Sequence, residues 1–325
     1  MPLASRLHYY RRILAAYLLP GESHLTFWHD SPQMNANASI NELAEYYMPF
    51  LQKADYCGPN DAVGIPLLDY HGEIGPQYNP VAISQWGLGH FNIYLRTGDE
   101  KRKQKFVLAA NWLCDHLEQN SCGVWVWNHQ FDWEYRTLLK APWYSALAQG
   151  QGISLLVRAA RETGESRYMD TAQRAFGSFL KRVHEGGVTV IDKDDIWFEE
   201  YVVNPPTHIL NGFMWAIWGV YDYFLSTQDT TARQLFKEAV HTLRRNLPCY
   251  DLGFWSLYEQ SGTLLPMIAS PFYHRLHIAQ LNVMYRLTGD EVFSRYADCW
   301  QHYISSRAKR TRALCYKSAF KLCYY

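Results

Sequence analysis

The stretch Arg161-Glu162-Thr163-Gly164-Glu165 stands between two helical sequence patterns, and its form recurs three more times along the chain. The four copies centre on Thr97, Thr163, Thr227 and Thr288, so successive threonines are 66, 64 and 61 residues apart. Glycine after a helix suits a C-cap in the left-handed conformation, and the acidic residue beside it suits the positive end of the next helix. Each copy therefore predicts a tight turn between two helices.

The helices on the two sides of each turn differ in their apolar patterns. Those after the turns carry one apolar stripe with a period of 3.6 residues, for example Phe106, Ala109 and Leu113. Those before the turns are apolar over most of their circumference, which is typical of buried helices. We expect these inner helices at about residues 81–95, 144–161, 207–225 and 273–287. The repeat thus predicts an all-α fold, an α/α toroid (barrel) of about four helical hairpins.

Short segments with a strand-like alternation of side chains connect one helical hairpin to the next. They are residues 123–128, 187–191 and 253–258. Their alternation predicts short β-hairpins on one rim of the ring, and the glycine-rich and proline-rich segment 55–80 predicts a further hairpin or ordered loop. Side chains that are far apart in sequence would then meet at this rim.

The chain divides by its patterns into three regions. Residues 1–60 form an N-terminal helical segment with helices at about 4–19 and 39–54, residues 61–309 form the barrel, and residues 310–325 form a basic tail. No apolar run reaches the length of a membrane span, and the short run after Arg12 lacks a signal-peptide cleavage site. We therefore expect a soluble, cytoplasmic chain.

The composition argues against a nucleic-acid or membrane partner and against a zinc site, and it is compatible with a sugar ligand. A formal net charge of zero and a pI of about 7.2 give no global attraction to nucleic acid or to an anionic membrane. Seven cysteines without Cys-x-x-Cys spacing support neither a zinc site nor a disulfide framework. The 24 tyrosines and 12 tryptophans exceed what a core commonly needs, and aromatic faces in a cleft can stack on sugar rings.

Acid–base side chains are concentrated in one short stretch, residues 199–201, where the sequence predicts a sharp turn of the chain. Glu199, Glu200 and Tyr201 end an apolar, aromatic run, and Pro205-Pro206 forces a turn before a tryptophan-rich helix. Functional side chains are often placed on loops that a rigid scaffold holds in position. This corner is our first candidate for chemistry.

Four segments of the chain carry the motifs of a known family. They are residues 78–90, residues 140–152, residues 197–213, and Tyr273-His274 with Gln280-Leu281. Together they resemble the heparosan/heparan sulfate D-glucuronyl C5-epimerases, from about residue 60 to residue 309. The resemblance implies that residues 61–309 are an α/α-barrel catalytic domain of an isomerase that needs no organic cofactor. Such an enzyme converts D-glucuronate to L-iduronate, reversibly, within a polysaccharide.

The resemblance also implies which residues form the site. The family's catalytic residues fall on Glu200, Tyr201, Tyr258 and Tyr273. The expected substrate-binding residues are Tyr78, Arg136, Lys140, Trp143, Gln151, Asn211 and His274. After the aligned tyrosine the animal members have Asp-Leu-Arg where this chain has Glu259-Gln260-Ser261, and their inserted β-domain is absent. The sequence resembles a compact, prokaryotic-like member.

Epimerisation at C5 sets its own chemical demands. A proton leaves the carbon next to a carboxylate and another returns on the opposite face, so two acid–base groups must flank the sugar. We hypothesise that Glu200, with a pKa raised by burial, is the base and that Tyr273 is its counterpart. Tyr201 and Tyr258 would hydrogen-bond the carboxylate or the glycosidic oxygens. Arg136 and Lys140 would neutralise the carboxylate, or would only pair with nearby acids.

Two other classes of function stay open. A uronate lyase begins with the same proton abstraction, and a glycoside hydrolase would use a carboxylate pair such as Asp195 and Glu200. A non-catalytic glycan-binding toroid would keep the aromatic surface alone. The expected partner is an acidic polysaccharide such as heparosan or N-sulfoheparosan, with a homodimer possible and no nucleic acid or membrane. No metal is expected, because His274 and His277 have no third ligand nearby.

Overall fold

Helices joined by tight turns form most of the described chain. The computed structural model describes Phe27 and residues 31–324, so the helix predicted at about 4–19 lies outside the described residues. The helices are α1 (Leu51–Ala54), α2 (Pro80–Thr97), α3 (Glu100–Asp115), α4 (Ala146–Thr163), α5 (Ser166–Phe176), α6 (Leu210–Thr227), α7 (Thr230–Asn246), α8 (Pro271–Thr288), α9 (Glu291–Ser305) and α10 (Arg307–Tyr324). The four predicted inner helices are confirmed as α2, α4, α6 and α8, each within a few residues of its predicted ends.

The chain divides into two compact units. The larger unit contains residues 35–208 and 212–242, and the smaller unit contains residues 209–211 and the chain from residue 243 onward. Residues 35–60, which the sequence assigned to a separate segment, belong to the larger unit. The predicted basic tail is the helix α10, whose Ala313, Leu314 and Phe320 are buried in the smaller unit. None of the described helices is both long and apolar enough to cross a bilayer.

The four helical turns share one hydrogen-bond pattern, as their repeated sequence predicts. The Thr97 hydroxyl donates to the carbonyl of Ile93 at 2.8 Å and accepts the amide of Asp99 at 3.2 Å. Thr163, Thr227 and Thr288 make the same two bonds. The hydroxyl thus closes the last turn of one helix and fixes the entry to the next. The four threonines therefore stabilise the turns between the paired helices.

One of these turns lacks the glycine. Gly98, Gly164 and Gly289 have φ between 69° and 75°, and Gln228 adopts the same left-handed conformation with φ of 58°. A side chain in this conformation costs about 1–2 kcal/mol, which glycine avoids at some entropic cost of its own. Gln228 therefore carries local strain.

We expect Gln228→Gly to raise the free energy of unfolding by about 0.5–1 kcal/mol, since it removes this strain. The glutamine amide donates at 3.2 Å to the Leu225 carbonyl, a bond near the surface that water can replace. Urea denaturation measures the change. The matched control is Gly164→Gln, which has space for a side chain and should lose a similar amount because φ there is 75°. A less stable Gln228→Gly protein would contradict the argument.

Short antiparallel hairpins connect the helical pairs. They are β1 (Leu68–Asp69) with β2 (Pro76–Gln77), β3 (Leu117–Gln119) with β4 (Trp125–Trp127), β5 (Trp133–Glu134) with β6 (Leu138–Leu139), and β7 (Thr189–Asp192) with β8 (Asp195–Phe198). The strands predicted within 55–80, 123–128 and 187–191 are confirmed. The strand predicted at 253–258 is wrong, because the chain turns at Gly253 with φ of 75° and keeps only single bridges, such as Leu257 to Ile268.

The helix predicted at 39–54 is also largely wrong, since only its last turn, α1, forms. The Asn92 side chain on α2 accepts the amide of Tyr46 at 2.7 Å and donates to the carbonyls of Met48 and Pro49. These bonds satisfy the backbone without a helix. A contact distant in sequence therefore overrides the local helical pattern.

A buried ion pair lies in the core of the larger unit. Arg158 on α4 and Asp222 on α6 are both fully buried and 2.6 Å apart. The Tyr47 hydroxyl donates to Asp222 at 2.7 Å, and Arg158 Nε donates to the carbonyl of Ala44 at 3.0 Å. Both charges have several hydrogen-bond partners, which is the condition for burying them.

Candidate active site

The corner between β8 and α6 is held by Glu199. Its buried carboxylate accepts the amides of Thr207 and His208 at 3.2 Å each and lies 2.6 Å from His208 Nδ1. The His208 ring in turn stacks on Trp197, with ring centres 4.3 Å apart. The carbonyl of Glu199 accepts the amide of Ala146. Glu199 therefore connects the first residue of the 199–208 loop to its last two residues. The sequence predicted a rigid corner here, and these bonds are consistent with one.

Glu200 lies beside the first turn of α6, in the space that the side chain of residue 212 would take. It is 6% exposed. A Cβ atom placed on Gly212 would lie 2.3 Å from Glu200 Oε2 and 2.6 Å from Glu200 Cβ, both too close for any real side chain. The positive end of the helix dipole favours a negative charge at this place. The glycine thus admits the carboxylate, a role that sequence reasoning missed.

Aromatic rings surround Tyr201, the next residue. Its ring centre is 4.4 Å from that of Tyr135 and 5.7 Å from that of Trp143. Trp143 is fixed by a bond from Nε1 to the carbonyl of Phe131 at 2.8 Å and by parallel stacking on His129. These rings give the region the flat apolar faces that sugar rings stack on.

A pocket of about 360 Å³ lies next to this aromatic group, within the larger unit. Its lining includes residues 137–140, Trp143, Tyr144 and residues 202–204, so it combines the β5–β6 hairpin with the loop after Tyr201. Two of the predicted substrate-binding residues, Lys140 and Trp143, are in the lining. The size and mixed character of the pocket suit a sugar ring.

The predicted cations lie on the same hairpin. Lys140 pairs with Asp132 and keeps 72% of its side chain exposed, and its ammonium holds the pKa of Asp132 below the ordinary value. Arg136 lies in the turn between β5 and β6 and is exposed. Both are at the surface, where an acidic ligand can reach them, and the exposed pair of Lys140 with Asp132 can open at little cost.

Tyr78 occupies a separate position just before α2. Its hydroxyl donates to Asp61 at 2.8 Å, and its ring packs 5.5 Å from that of Trp112. The ring is 38% exposed. A surface position is compatible with the predicted substrate contact, which stays a prediction.

Three other predicted binding residues are buried. Gln151 accepts a bond from Gln85 at 3.0 Å inside the larger unit, and the Asn211 carbonyl accepts Gln280 at 3.0 Å inside the smaller unit. His274 lies 2.7 Å from Ser256 Oγ and 3.0 Å from the carbonyl of Trp300, and burial lowers its pKa to about 3, so the ring is neutral. The contacts shown for all three are internal, and their contact with a substrate stays a prediction.

The two remaining candidate tyrosines meet in the smaller unit. The Tyr258 and Tyr273 rings pack edge to face, with centres 4.9 Å apart and planes at 62°. Tyr273 stands in the first turn of α8, where its amide donates to the N-cap Ser270. Tyr258 is 7% exposed, and its amide donates to the carbonyl of Met267 at 2.8 Å. Two residues that are 15 positions apart in sequence are thus neighbours.

Comparison with known proteins gives the family. The family described as D-glucuronyl C5-epimerase C-terminus matches residues 119–302, a range that contains Glu200, Tyr201, Tyr258 and Tyr273. The chain belongs to the D-glucuronyl C5-epimerase C-terminal family. The resemblance found in the sequence is therefore confirmed over more than half of the chain. The match ends at residue 302, before α10 begins.

The chain is also similar to two known proteins along much of its length. The chain is 33% identical over 227 residues to the D-glucuronyl C5-epimerase of Caenorhabditis elegans, which is 65% of this chain and 36% of that protein. It is 28% identical over 245 residues to an uncharacterized protein of Methanocaldococcus jannaschii, 70% of this chain and 78% of that one. The chain therefore spans only about a third of the worm relative.

The fold has a counterpart among solved structures. Cellobiose 2-epimerase from Spirochaeta thermophila matches with a TM-score of 0.50 and 12% sequence identity, over 94% of this chain and 86% of that chain. At this identity the likeness shows the fold alone. With the helical pairs described above, it confirms the predicted α/α toroid class. Among the described residues, no group of three or more His, Cys, Asp or Glu could hold a metal ion.

Proposed function

We propose that the protein epimerises uronate residues at C5 within an acidic polysaccharide of the heparosan type, converting D-glucuronate to L-iduronate. The observation that carries the proposal is the Glu200 carboxylate, held against Gly212 at the first turn of α6 inside the region that matches the family. The name of the C. elegans relative supports the same substrate class. The other residues of the proposed site are of the types that this chemistry needs.

The proton transfers can be assigned to named atoms. Glu200 takes the proton from C5, and the electron pair left behind is delocalised into the C6 carboxylate. A tyrosine of the Tyr258–Tyr273 pair, with Tyr273 as our assignment, donates its hydroxyl proton to C5 on the opposite face. Glu200 then holds a proton and the tyrosine has lost one, and exchange with water restores both. The reverse reaction uses the same groups in exchanged roles.

The electrostatic demands of the reaction indicate which residues would bind the uronate carboxylate. A base that removes a proton next to a carboxylate works against that negative charge, so cations or helix amides must offset it. Lys140 and Arg136 on the β5–β6 hairpin are the cations of the larger unit nearest in sequence to the aromatic pocket. Trp143 and Tyr201 would hold the sugar ring by its C–H face. Substrate binding by these residues is part of the proposal.

The experiment is incubation of the protein with heparosan in heavy water, followed by NMR and by sizing of the polysaccharide. We expect deuterium at C5 of the uronates and iduronate signals, with unchanged chain length. An unsaturated, ultraviolet-absorbing product would instead identify a lyase, and shortened chains without unsaturation would identify a hydrolase. Binding to heparosan without exchange would identify a glycan-binding protein. Each of the last three outcomes would contradict the proposal.

A further inference from the structure

Lys317 is a buried lysine on α10, outside the region that matches the family. It is 8% exposed and lies on the same face of the helix as the buried Leu314 and Phe320. Lysine is rarely buried unless its ammonium group is bonded, because an unpaired charge in an apolar site is costly. Lys317 Nζ donates to the carbonyl of Ile268 at 2.8 Å and lies 5.4 Å from the ring centre of Phe320.

The acceptor of this bond belongs to the backbone ladder that holds Tyr258. Ile268 bridges Leu257 in antiparallel fashion. On either side of this bridge, the Tyr258 amide donates to Met267 at 2.8 Å and the Ala269 amide donates to Ser256 at 2.9 Å. Lys317 thus bonds the carbonyl at the centre of this ladder. The next backbone hydrogen bond of the ladder is the one that the Tyr258 amide makes.

An acid of opposite charge accompanies the lysine. Glu259 directly follows Tyr258 and is fully buried. Burial raises the pKa of Glu259 to about 7 against the lowering effects of Ser261 and Lys317, and burial lowers the pKa of Lys317 to about 7 against the raising effect of Glu259. Each group thus offsets part of the cost of burying the other.

We propose that Lys317 is a positioning residue for Tyr258. Its side-chain nitrogen, by donating to the carbonyl of Ile268, clamps the ladder formed by residues 256–258 and 267–269, so that α10 is part of the machinery that orients the tyrosine. This inference rests on the proposed function for the role of Tyr258 in turnover. The clamp itself is independent of any substrate.

Two variants separate positioning from stability. Lys317→Met keeps the length and the apolar stem of the side chain but removes the donor, and it removes one of the groups that lower the pKa of Glu259. Lys317→Met combined with Glu259→Gln also replaces the acid by a neutral amide, so that neither side chain can carry a buried charge, while the bond to Ile268 stays lost. Arg307→Met, at the exposed first residue of α10, is the matched control.

The first readout is amide hydrogen exchange of the peptide that covers residues 256–269. We expect both Lys317 variants to exchange at least about tenfold faster there than the parent, and Arg307→Met to match the parent. The second readout is turnover of heparosan. The double variant should unfold at no lower a temperature than Lys317→Met, yet keep a kcat about tenfold lower than the parent, with KM changed less than about twofold.

The outcomes are distinct. Parent-like amide exchange and a parent-like kcat in the double variant would overturn the inference and assign Lys317 to stability alone, leaving the proposed function intact. If the parent protein does not introduce deuterium at C5, the proposed function fails, and the amide exchange still decides whether the clamp exists. A loss of kcat without faster amide exchange would also overturn it, since the ladder would then be unaffected.

Discussion

Replacing Glu200 by glutamine is expected to lower the rate of deuterium exchange at C5 by about 10²–10⁴-fold, which is the usual contribution of a general base. Glutamine has almost the same shape as glutamate, so it fits the space beside Gly212, and a neutral amide is cheaper to bury. The variant should therefore fold as the parent does, as circular dichroism and thermal unfolding would show. NMR in heavy water with heparosan measures the exchange.

The neighbouring acid offers a matched control. Glu199→Gln makes the same chemical change one residue earlier, where the carboxylate accepts two backbone amides and contacts His208. Because these charge-assisted bonds are lost, Glu199→Gln should lower the free energy of unfolding more than Glu200→Gln does. Its effect on the rate of deuterium exchange at C5, per folded molecule, should be smaller than that of Glu200→Gln. If instead Glu199→Gln abolishes exchange and Glu200→Gln retains it, the base is Glu199 and our assignment is wrong.

Gly212→Ala is expected to reduce turnover by about 10²-fold without changing any group that can exchange protons. The new methyl carbon would lie 2.3 Å from Glu200 Oε2 and 2.6 Å from Glu200 Cβ, so the whole side chain must move and not only its end. A displacement of about 1 Å at a reacting group commonly costs this factor. Alanine is the better helix former by about 1 kcal/mol, which offsets part of the steric cost to stability.

Gly177→Ala is the control for this prediction. Gly177 also lies in the larger unit with a helical φ of −53°, and a Cβ atom there would meet nothing within 4 Å. It should leave turnover unchanged. The measurement is kcat for heparosan, with the unfolding midpoint beside it to exclude a folding defect. Parent-like turnover in Gly212→Ala would show that the position of the Glu200 carboxylate does not matter for the reaction.

The sequence predicted those parts of the fold that depend on neighbouring residues. The threonine turns and the apolar periods of α2, α4, α6 and α8 are local, and each predicted inner helix formed. The segment before α1 was missed because Asn92, far away in sequence, takes its backbone bonds. For the tail, the sequence predicted only its basic character, since lysine and arginine residues interrupt the apolar positions of α10, and the bond from Lys317 to the carbonyl of Ile268 is visible only in the folded chain.

The candidate site shows the same limit. The resemblance assigns the catalytic role to Glu200, and the different surroundings of the two glutamates are visible only in the structure, where Glu199 bonds the loop backbone and Glu200 lies against α6. The role of Gly212 could have been predicted, since a glycine within a helix often indicates that another group packs closely against the helix backbone. The predicted rim segments bring Tyr258 and Tyr273 to the same end of the barrel, but the edge-to-face contact of their rings depends on tertiary packing and is visible only in the structure.

The buried pair of Arg158 and Asp222 has a practical consequence for dissecting the protein. Tyr47 and Ala44 complete the hydrogen bonding of this pair, although they lie in a segment without regular secondary structure. A recombinant fragment that starts at residue 61 would leave two buried charges short of partners and would also strip Asn92 of its backbone contacts. A shortened version of the chain should therefore keep this segment and begin at or before Ala44.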